Sequence, residues 1–156
     1  MGIPCGIEDL PVVPNVYRAE PAALSGGAVL GAPLMHDFAV ISLSDLLTPW
    51  ETIENRLDAA AKADFSICLY NPSSRKRADY LNRACEIFLR YKSPDTVCGI
   101  VKNIGRDGET KKVMTLAELK DYAADMFTTV FIGNSQTEKS VLGGQDWMVT
   151  PRGYRI

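Results

Sequence analysis

The chain has 156 residues, of which 46% are hydrophobic and 23% are charged, and its formal net charge is -2. This length indicates one domain with a substantial core, and the composition excludes a disordered chain, a fibrous repeat and a disulfide-stapled miniprotein. The 17 basic residues are outnumbered by 19 acidic ones and form no basic stripe. Nucleic acid is therefore not an expected partner, because phosphate contacts need Lys and Arg.

Four cysteines stand apart in the chain, without a C-x-x-C pair. Cys68, Cys85 and Cys98 fall in apolar patterns typical of buried elements, so we expect free thiols in a reduced, cytoplasmic protein. A single histidine and scattered thiols predict no metal site. The longest uncharged run, 21–35, is too short to span a membrane and is broken by two glycines and a proline, so no membrane partner is expected.

The first part of the chain alternates helical and strand patterns. Residues 1–18 carry three prolines and are expected to be irregular. The Ala-rich segment 19–30 is a predicted helix in which two adjacent glycines are costly. A short apolar strand is predicted at 38–43. The segment Thr48–Glu51 reads Thr-Pro-Trp-Glu, which predicts a capping box at the start of the next helix.

A strand at 65–70, a helix at 76–91 and a strand at 97–102 then predict a βαβ unit with parallel strands and a right-handed crossover. The Asp-Gly pair within 106–109 predicts a tight turn, after which 111–114 returns antiparallel.

The last part of the chain opens with a second capping box at Thr115–Glu118, which predicts a short helix. A strand is predicted at 128–132, a polar loop at 135–146 and a final edge strand at 147–149. The predicted fold is α/β, with a mixed sheet of four to five strands flanked by helices.

Polar residues follow four of the predicted strands. They occupy 42–45, 70–75, 103–106 and 133–137. Ligands of α/β sheets bind beyond the carboxyl ends of the strands, so these loops are candidates for a site, although loops are polar in most proteins. The chain has no P-loop, no G-x-G-x-x-G and no G-x-S-x-G motif. A basic run at 75–77 is unfavourable at a helix start, which points to an anionic partner.

Five segments resemble the precorrin-3B C(17)-methyltransferases of the tetrapyrrole methylase family, and they occur in the same order. They are GAPLMHDFAVISLSDLLTPWETIENRL (31–57), DFSICLYNPSSRKR (64–77), GIVKNIGRDGE (99–109), TTVFIGNSQT (128–137) and MVTPRGY (148–154). The resemblance implies a two-lobed α/β enzyme that binds S-adenosylmethionine between its lobes. The implied reaction is methyl transfer to C(17) of precorrin-3B or cobalt-precorrin-3, with ring contraction, in cobalamin biosynthesis.

The resemblance also implies which residues form the site. The candidates for the adenosine end of the cofactor are Leu69, Tyr70, Asn71, Val101, Asn103, Ile104, Thr128, Thr129 and Val130. The tetrapyrrole is expected near His36 and Asp45, as candidate catalytic groups, and near Asp37 and Ser44, as substrate contacts. Arg75 and Arg77 are expected to meet its carboxylate side chains. Taken alone, His36 is more typical of a structural or surface histidine, and Tyr70 is equally typical of a core residue.

Two family motifs, G-x-G-P-G and G-G-D-P, which hold the methionine part of the cofactor in the first lobe, do not occur in this sequence. The resemblance therefore predicts an irregular segment with the inter-lobe helix at 1–33 and a C-terminal α/β lobe at 34–156. Such a chain alone is expected to bind the cofactor weakly and to lack turnover, and to work as a homodimer or with a partner that supplies the other lobe. Two alternatives stay open, a non-catalytic ligand-binding module and a self-associating remnant.

Overall fold

The structure, a computed structural model, describes residues 19–73 and 76–153. This part of the chain contains four helices: α1 Ala19–Leu30, α2 Trp50–Lys62, α3 Tyr80–Phe88 and α4 Leu116–Lys120. It also contains eight strands: β1 Gly31–Ala32, β2 Phe38–Ser42, β3 Ser66–Tyr70, β4 Val97–Lys102, β5 Thr110–Thr115, β6 Thr128–Ile132, β7 Glu138–Leu142 and β8 Gln145–Val149.

The main sheet has five strands in the order β2-β3-β6-β4-β5. Only β2 and β3 pair in parallel; β6 runs antiparallel to both of its neighbours, β3 and β4, and β5 is antiparallel to β4. The prediction of a mixed sheet flanked by helices is confirmed. A second sheet, β1-β8-β7, was not predicted.

Alternate residues of the main sheet enter two apolar cores, as the pleat of a strand requires. Ile67 and Leu69 of β3 face the larger core, which packs against α2, α3 and α4. Cys68, between them, faces a smaller core with Phe131 and with Met148 of the second sheet, and α1 covers this side. The sheet is thus the middle layer, and α1 lies on the opposite face from the other three helices.

The predicted βαβ unit needs correction. The strands β3 and β4 are parallel, but they are not neighbours, because β6 lies between them. Every residue of β6 is buried, and such an apolar strand is most favourable at the centre of a sheet. The adjacent parallel pair is β2 and β3, joined through α2.

The start predicted for α2 is confirmed but its capping box is wrong, the start predicted for α3 is wrong, and the second capping box is confirmed. Pro49 takes the N-cap position of α2 with extended backbone, and no side chain caps this helix, so Thr48 forms no capping box. The helix predicted from residue 76 begins only at Tyr80. At α4, Glu118 N–H donates to Thr115 Oγ1, and Thr115 N–H donates to Glu118 Oε2 at 2.8 Å.

The predicted polar loop 135–146 was also wrong, because most of it forms the hairpin of β7 and β8. Gly143 and Gly144 turn this hairpin with φ of 60° and 72°, the left-handed pair that a tight two-residue hairpin needs. Four of the five residues of β7 are exposed, so this strand lacks the apolar alternation that predicts strands. The strand β8 is central in its sheet and not at an edge.

The turn predicted at 106–109 is confirmed, with Glu109 N–H donating to the Arg106 carbonyl at 3.2 Å.

Candidate functional site

A groove of about 550 Å³ opens at one edge of the main sheet, between α1 and the loops that follow β3 and β4 and precede β6. This volume lies in the usual range for small-molecule sites. Strand-end residues on the groove are Tyr70, Asn71, Asn103, Ile104, Thr128 and Thr129. All six are among the residues predicted for the cofactor. The other three, Leu69, Val101 and Val130, are fully buried in the two cores and do not line the groove.

The antiparallel direction of β6 decides which loops meet at this edge. The carboxyl ends of β3 and β4 lie beside the amino end of β6, so Thr128 and Thr129 reach the groove. The segment 133–137, which was predicted to join the other strand ends, lies at the opposite edge of the sheet. There Asp64 accepts hydrogen bonds from the Ser135 N–H at 2.9 Å and from its hydroxyl at 2.5 Å.

The loop after β4 has an irregular backbone. Asn103 and Gly105 have φ of 55° and 68°, and the Asn103 side chain donates to the Gly108 carbonyl at 3.3 Å. Glu109 Oε2 accepts the Gly105 N–H at 2.7 Å. Asn103 was predicted at the site from the sequence, but Glu109 was not, because only the folded loop brings that carboxylate back to the groove.

The turn before β6 forms the facing wall. Asp125 accepts the Phe127 N–H and the Thr128 hydroxyl, both at 2.9 Å, and pairs with Lys102 at 2.5 Å. Burial alone would raise the pKa of Asp125, but these hydrogen bonds and the lysine keep it below its ordinary value. Met126 and Phe127 stand exposed on the wall. Neither the carboxylate nor the two apolar side chains belonged to a pattern that pointed to a site.

A hydroxyl links the groove to a second polar cluster. Asn71, with φ of 52°, donates from its side chain to Ser42 Oγ at 3.3 Å. The same oxygen accepts the Ser44 N–H at 3.2 Å. The carboxyl end of β2 therefore continues the polar edge from the groove towards Ser44 and Asp45.

Asp45 is the centre of this second cluster. Its Oδ1 lies 2.5 Å from Arg77 Nε, and its Oδ2 accepts the Tyr80 hydroxyl at 2.5 Å. Arg77 also donates to Ser44 Oγ at 3.4 Å. The hydrogen bond to Asp45 raises the pKa of Tyr80. The structure thus brings together Ser44, Asp45 and Arg77, which were each predicted to lie near the substrate. Asp45 Oδ2 accepts a hydrogen bond, Oδ1 is in an ion pair with Arg77 but has no hydrogen-bond partner among the described residues, and the Arg77 charge is matched.

His36 and Asp37 lie elsewhere. They are exposed in the turn just before β2, and His36 has φ of 65°. Ser44 and Asp45 follow the other end of the same strand, so a strand of five residues separates the two pairs, roughly 16 Å. The structure does not bring His36 to the groove or to Asp45. Arg75 lies outside the described residues.

The described ranges contain no helix long and apolar enough to cross a membrane. Cys68, Cys85 and Cys98 are free and buried, and burial raises the pKa of Cys68 to about 12. Cys5 lies outside the described residues. No group of three His, Cys, Asp or Glu side chains suited to a metal is found between residues 19 and 153 where the chain is described.

The fold and the groove define an α/β protein with a groove of small-molecule size at the strand ends of a mixed sheet. Residues 9–120 match the model of the tetrapyrrole (corrin/porphyrin) methylases, and the chain belongs to this family. The chain is 47% identical over 135 residues to the probable cobalt-factor III C(17)-methyltransferase of Salmonella typhimurium. It is 45% identical over 148 residues to the precorrin-3B C(17)-methyltransferase of a Sinorhizobium species.

The crystal structure of the methyltransferase CobJ superposes with a TM-score of 0.73 and 36% sequence identity, over 83% of this chain and 53% of that one. The alignments cover 86% and 94% of this chain but 54% and 56% of the Salmonella and Sinorhizobium proteins. The chain therefore spans about half the length of these relatives.

Proposed function

We propose that this chain carries the donor-binding part of an S-adenosylmethionine-dependent C(17)-methyltransferase of cobalamin biosynthesis. The observation that carries the proposal is the groove, on which six residues chosen by family resemblance meet although they come from three separate strands. The names of the two relatives supply the substrate class, a precorrin-3B or cobalt-factor III macrocycle. Whether cobalt is present in the substrate is left to the assay, because the two names differ on this point.

The groove fits the adenosine end of the donor by its chemistry. Asn71 and Asn103 offer amide groups, Thr128 and Thr129 are nearly buried beside them, and Ile104 and Phe127 add apolar surface. A purine needs this mixture of flat apolar contact and a few polar partners. The groove has a volume of about 550 Å³, which is ample for adenosine. The bound donor would supply a sulfonium methyl group for attack by a nucleophilic ring carbon.

The contribution of this chain is then alignment. Holding the donor still beside the macrocycle converts a bimolecular step into an effectively unimolecular one, which is worth several kcal/mol of the barrier. We further propose that Ser44 and the Asp45 cluster face the macrocycle, since the Ser42 hydroxyl connects them to the groove edge. Proton transfer by Asp45 would require release of Tyr80 or Arg77. Roles for His36, Asp37 and Arg75 in binding or catalysis remain proposals from the resemblance alone.

We also propose that the reaction needs a first lobe, supplied by a partner or a second copy, and that the setting is cytoplasmic. The free buried thiols support a reducing compartment. A non-catalytic binding module and a self-associating remnant are the alternatives. Light scattering of the chain, alone and with the first half of the Salmonella relative, tests for a homodimer and for a complex.

The direct test is binding of S-adenosylhomocysteine, followed by calorimetry or ligand-detected NMR. We expect weak, saturable binding that is reduced in Asn71→Gly, a substitution that suits the positive φ and removes the side chain with its amide. Asn82→Ala is the matched control, since it removes an amide that bonds to the Lys120 carbonyl on α4, away from the groove. Absence of binding by the unaltered chain would refute the proposed donor site.

Methyl transfer is tested separately, with labelled donor and either cobalt-factor III or precorrin-3B, with and without the first half of the Salmonella relative. Turnover only in the combined sample is the expected result. Donor binding without any turnover would favour a non-catalytic binding module. Turnover by the chain alone would show that no second lobe is needed.

A further inference from the structure

The groove has two loop walls, and a carboxylate holds each of them. The first wall is the loop 103–109 after β4, and the second is the turn 125–128 before β6. The Asn103 N–H donates to the Phe127 carbonyl at 3.2 Å, so the walls are joined at their base. Above this joint, the width of the groove depends on what fixes each loop.

On the first wall, Glu109 fixes the backbone at Gly105. Its Oε2 accepts the Gly105 N–H at 2.7 Å, the short distance typical of a charge-assisted hydrogen bond. Gly105 and Asn103 both have left-handed φ values, and glycine loses much conformational freedom when it is held in one state. Without the carboxylate, the Gly105 N–H loses its acceptor, and the loop is held only by the hydrogen bonds to the Asn103, Arg106 and Gly108 carbonyls.

On the second wall, Asp125 fixes the turn that carries two apolar side chains. It accepts the Phe127 N–H and the Thr128 hydroxyl, and Lys102 neutralises its charge. Met126 and Phe127 are 67% and 51% exposed. The hydrophobic effect favours packing of such exposed side chains against the nearest apolar surface. Their position on the groove therefore depends on the hydrogen bonds of Asp125 to this turn.

We propose that Glu109 and Asp125 are positioning residues, which act through Gly105 and Phe127 to set the width of the groove and thereby the affinity for the adenosine end of the methyl donor. This inference rests on the proposed function. A wall that is released samples several shapes, and the apparent affinity falls with the fraction of molecules whose groove has the binding shape.

The test compares S-adenosylhomocysteine affinity in four variants, Glu109→Ala, Glu109→Gln, Asp125→Ala and Asp125→Asn. The alanine variants are expected to bind about three- to tenfold more weakly, since each loses hydrogen bonds to a charged acceptor. The glutamine and asparagine variants keep an acceptor oxygen and are expected to recover most of the affinity. Thermal unfolding checks that each variant keeps its fold. If Asp125→Ala unfolds, the affinity of Glu109→Ala, which changes only an exposed loop, tests the proposal by itself.

Glu118→Ala is the matched control. Its carboxylate also accepts a backbone N–H, that of Thr115 at 2.8 Å, but α4 begins at the opposite edge of the sheet from the groove. It is expected to lose stability and to keep its affinity. Equal affinity in the alanine variants and the unaltered chain, or an equal loss in Glu118→Ala, would overturn the inference and leave the proposed donor site intact. No binding by the unaltered chain would overturn both.

Discussion

The two adjacent glycines of α1 are expected to respond differently to replacement by alanine, because only Gly27 has room for a Cβ. A Cβ on Gly27 would lie 3.5 Å from Leu34 Cδ1 and 3.7 Å from Pro33 Cγ, which are ordinary contacts. A Cβ on Gly26 would lie 2.9 Å from both Ile104 Cδ1 and Phe131 Cζ. Phe131 is fully buried, so its ring has no free space into which to move.

The magnitudes follow from helix propensity and packing. Alanine gains about 1 kcal/mol over glycine inside a helix, and at Gly27 nothing opposes this gain. At Gly26 the same gain is set against about 1–3 kcal/mol for overpacking. We therefore expect Gly27→Ala to stabilise the chain by about 1 kcal/mol, and Gly26→Ala to be neutral or to destabilise it by up to about 2 kcal/mol.

Urea unfolding of the two variants and the unaltered chain measures the difference, and each is the control for the other because they share one helix. Ile104 lines the groove, so Gly26→Ala is also expected to weaken S-adenosylhomocysteine binding, whereas Gly27→Ala leaves it unchanged. If Gly26→Ala stabilises the chain as much as Gly27→Ala does, then α1 does not pack against Ile104 and Phe131 as closely as the structure shows.

Three further predictions concern groups outside the groove. Burial raises the pKa of Cys85 to about 12 from an ordinary 9.0. The stability that the buried neutral thiol contributes is therefore complete below pH 9 and is lost as the pH rises towards 12. The free energy of unfolding should fall between pH 7.5 and 10, and Cys85→Ala should make this fall smaller by about 1.4 kcal/mol. Lys92→Met should cost about 2–3 kcal/mol in urea unfolding, because it leaves the Phe65 and Gly133 carbonyls, 3.1 and 3.0 Å from the buried Nζ, without a donor. Tyr80→Phe should cost about 1 kcal/mol, and a spectroscopic pH titration should lose a phenol with raised pKa.

Most strands were predictable because their apolar residues form patterns that are typical of buried strands. The strands β4 and β6 were predicted with the bounds that the structure shows, since continuous apolar runs between polar turns have few other interpretations. The strand β7 was not, because its exposed residues carry no periodic signal. The late start of α3 was missed for a different reason. Arg77 precedes α3 and forms an ion pair with Asp45. No local pattern reveals a partner 32 residues away in the sequence.

The residues of the groove were predictable one strand at a time, but their assembly was not. A sequence shows where a strand ends, whereas a site depends on which ends lie together, and that is set by strand direction. Because β6 runs antiparallel between β3 and β4, its first residues, Thr128 and Thr129, join Asn71 and Asn103. Its last residues lie at the other edge, where the buried Lys92 donates hydrogen bonds to the Gly133 and Phe65 carbonyls.

The same reasoning separates the two candidate catalytic residues. His36 and Asp45 are nine positions apart in the sequence, close enough to suggest one site, yet β2 lies between them and carries them to opposite edges of the sheet. Asp45 shares its edge with the groove through Ser42, and His36 shares its edge with Lys92. If methyl transfer takes place at the groove edge, replacement of Asp45 should impair it more than replacement of His36. Comparison of His36→Ala with Asp45→Asn in the transfer assay tests this, and an equal or larger loss in His36→Ala would place the reaction at the other edge.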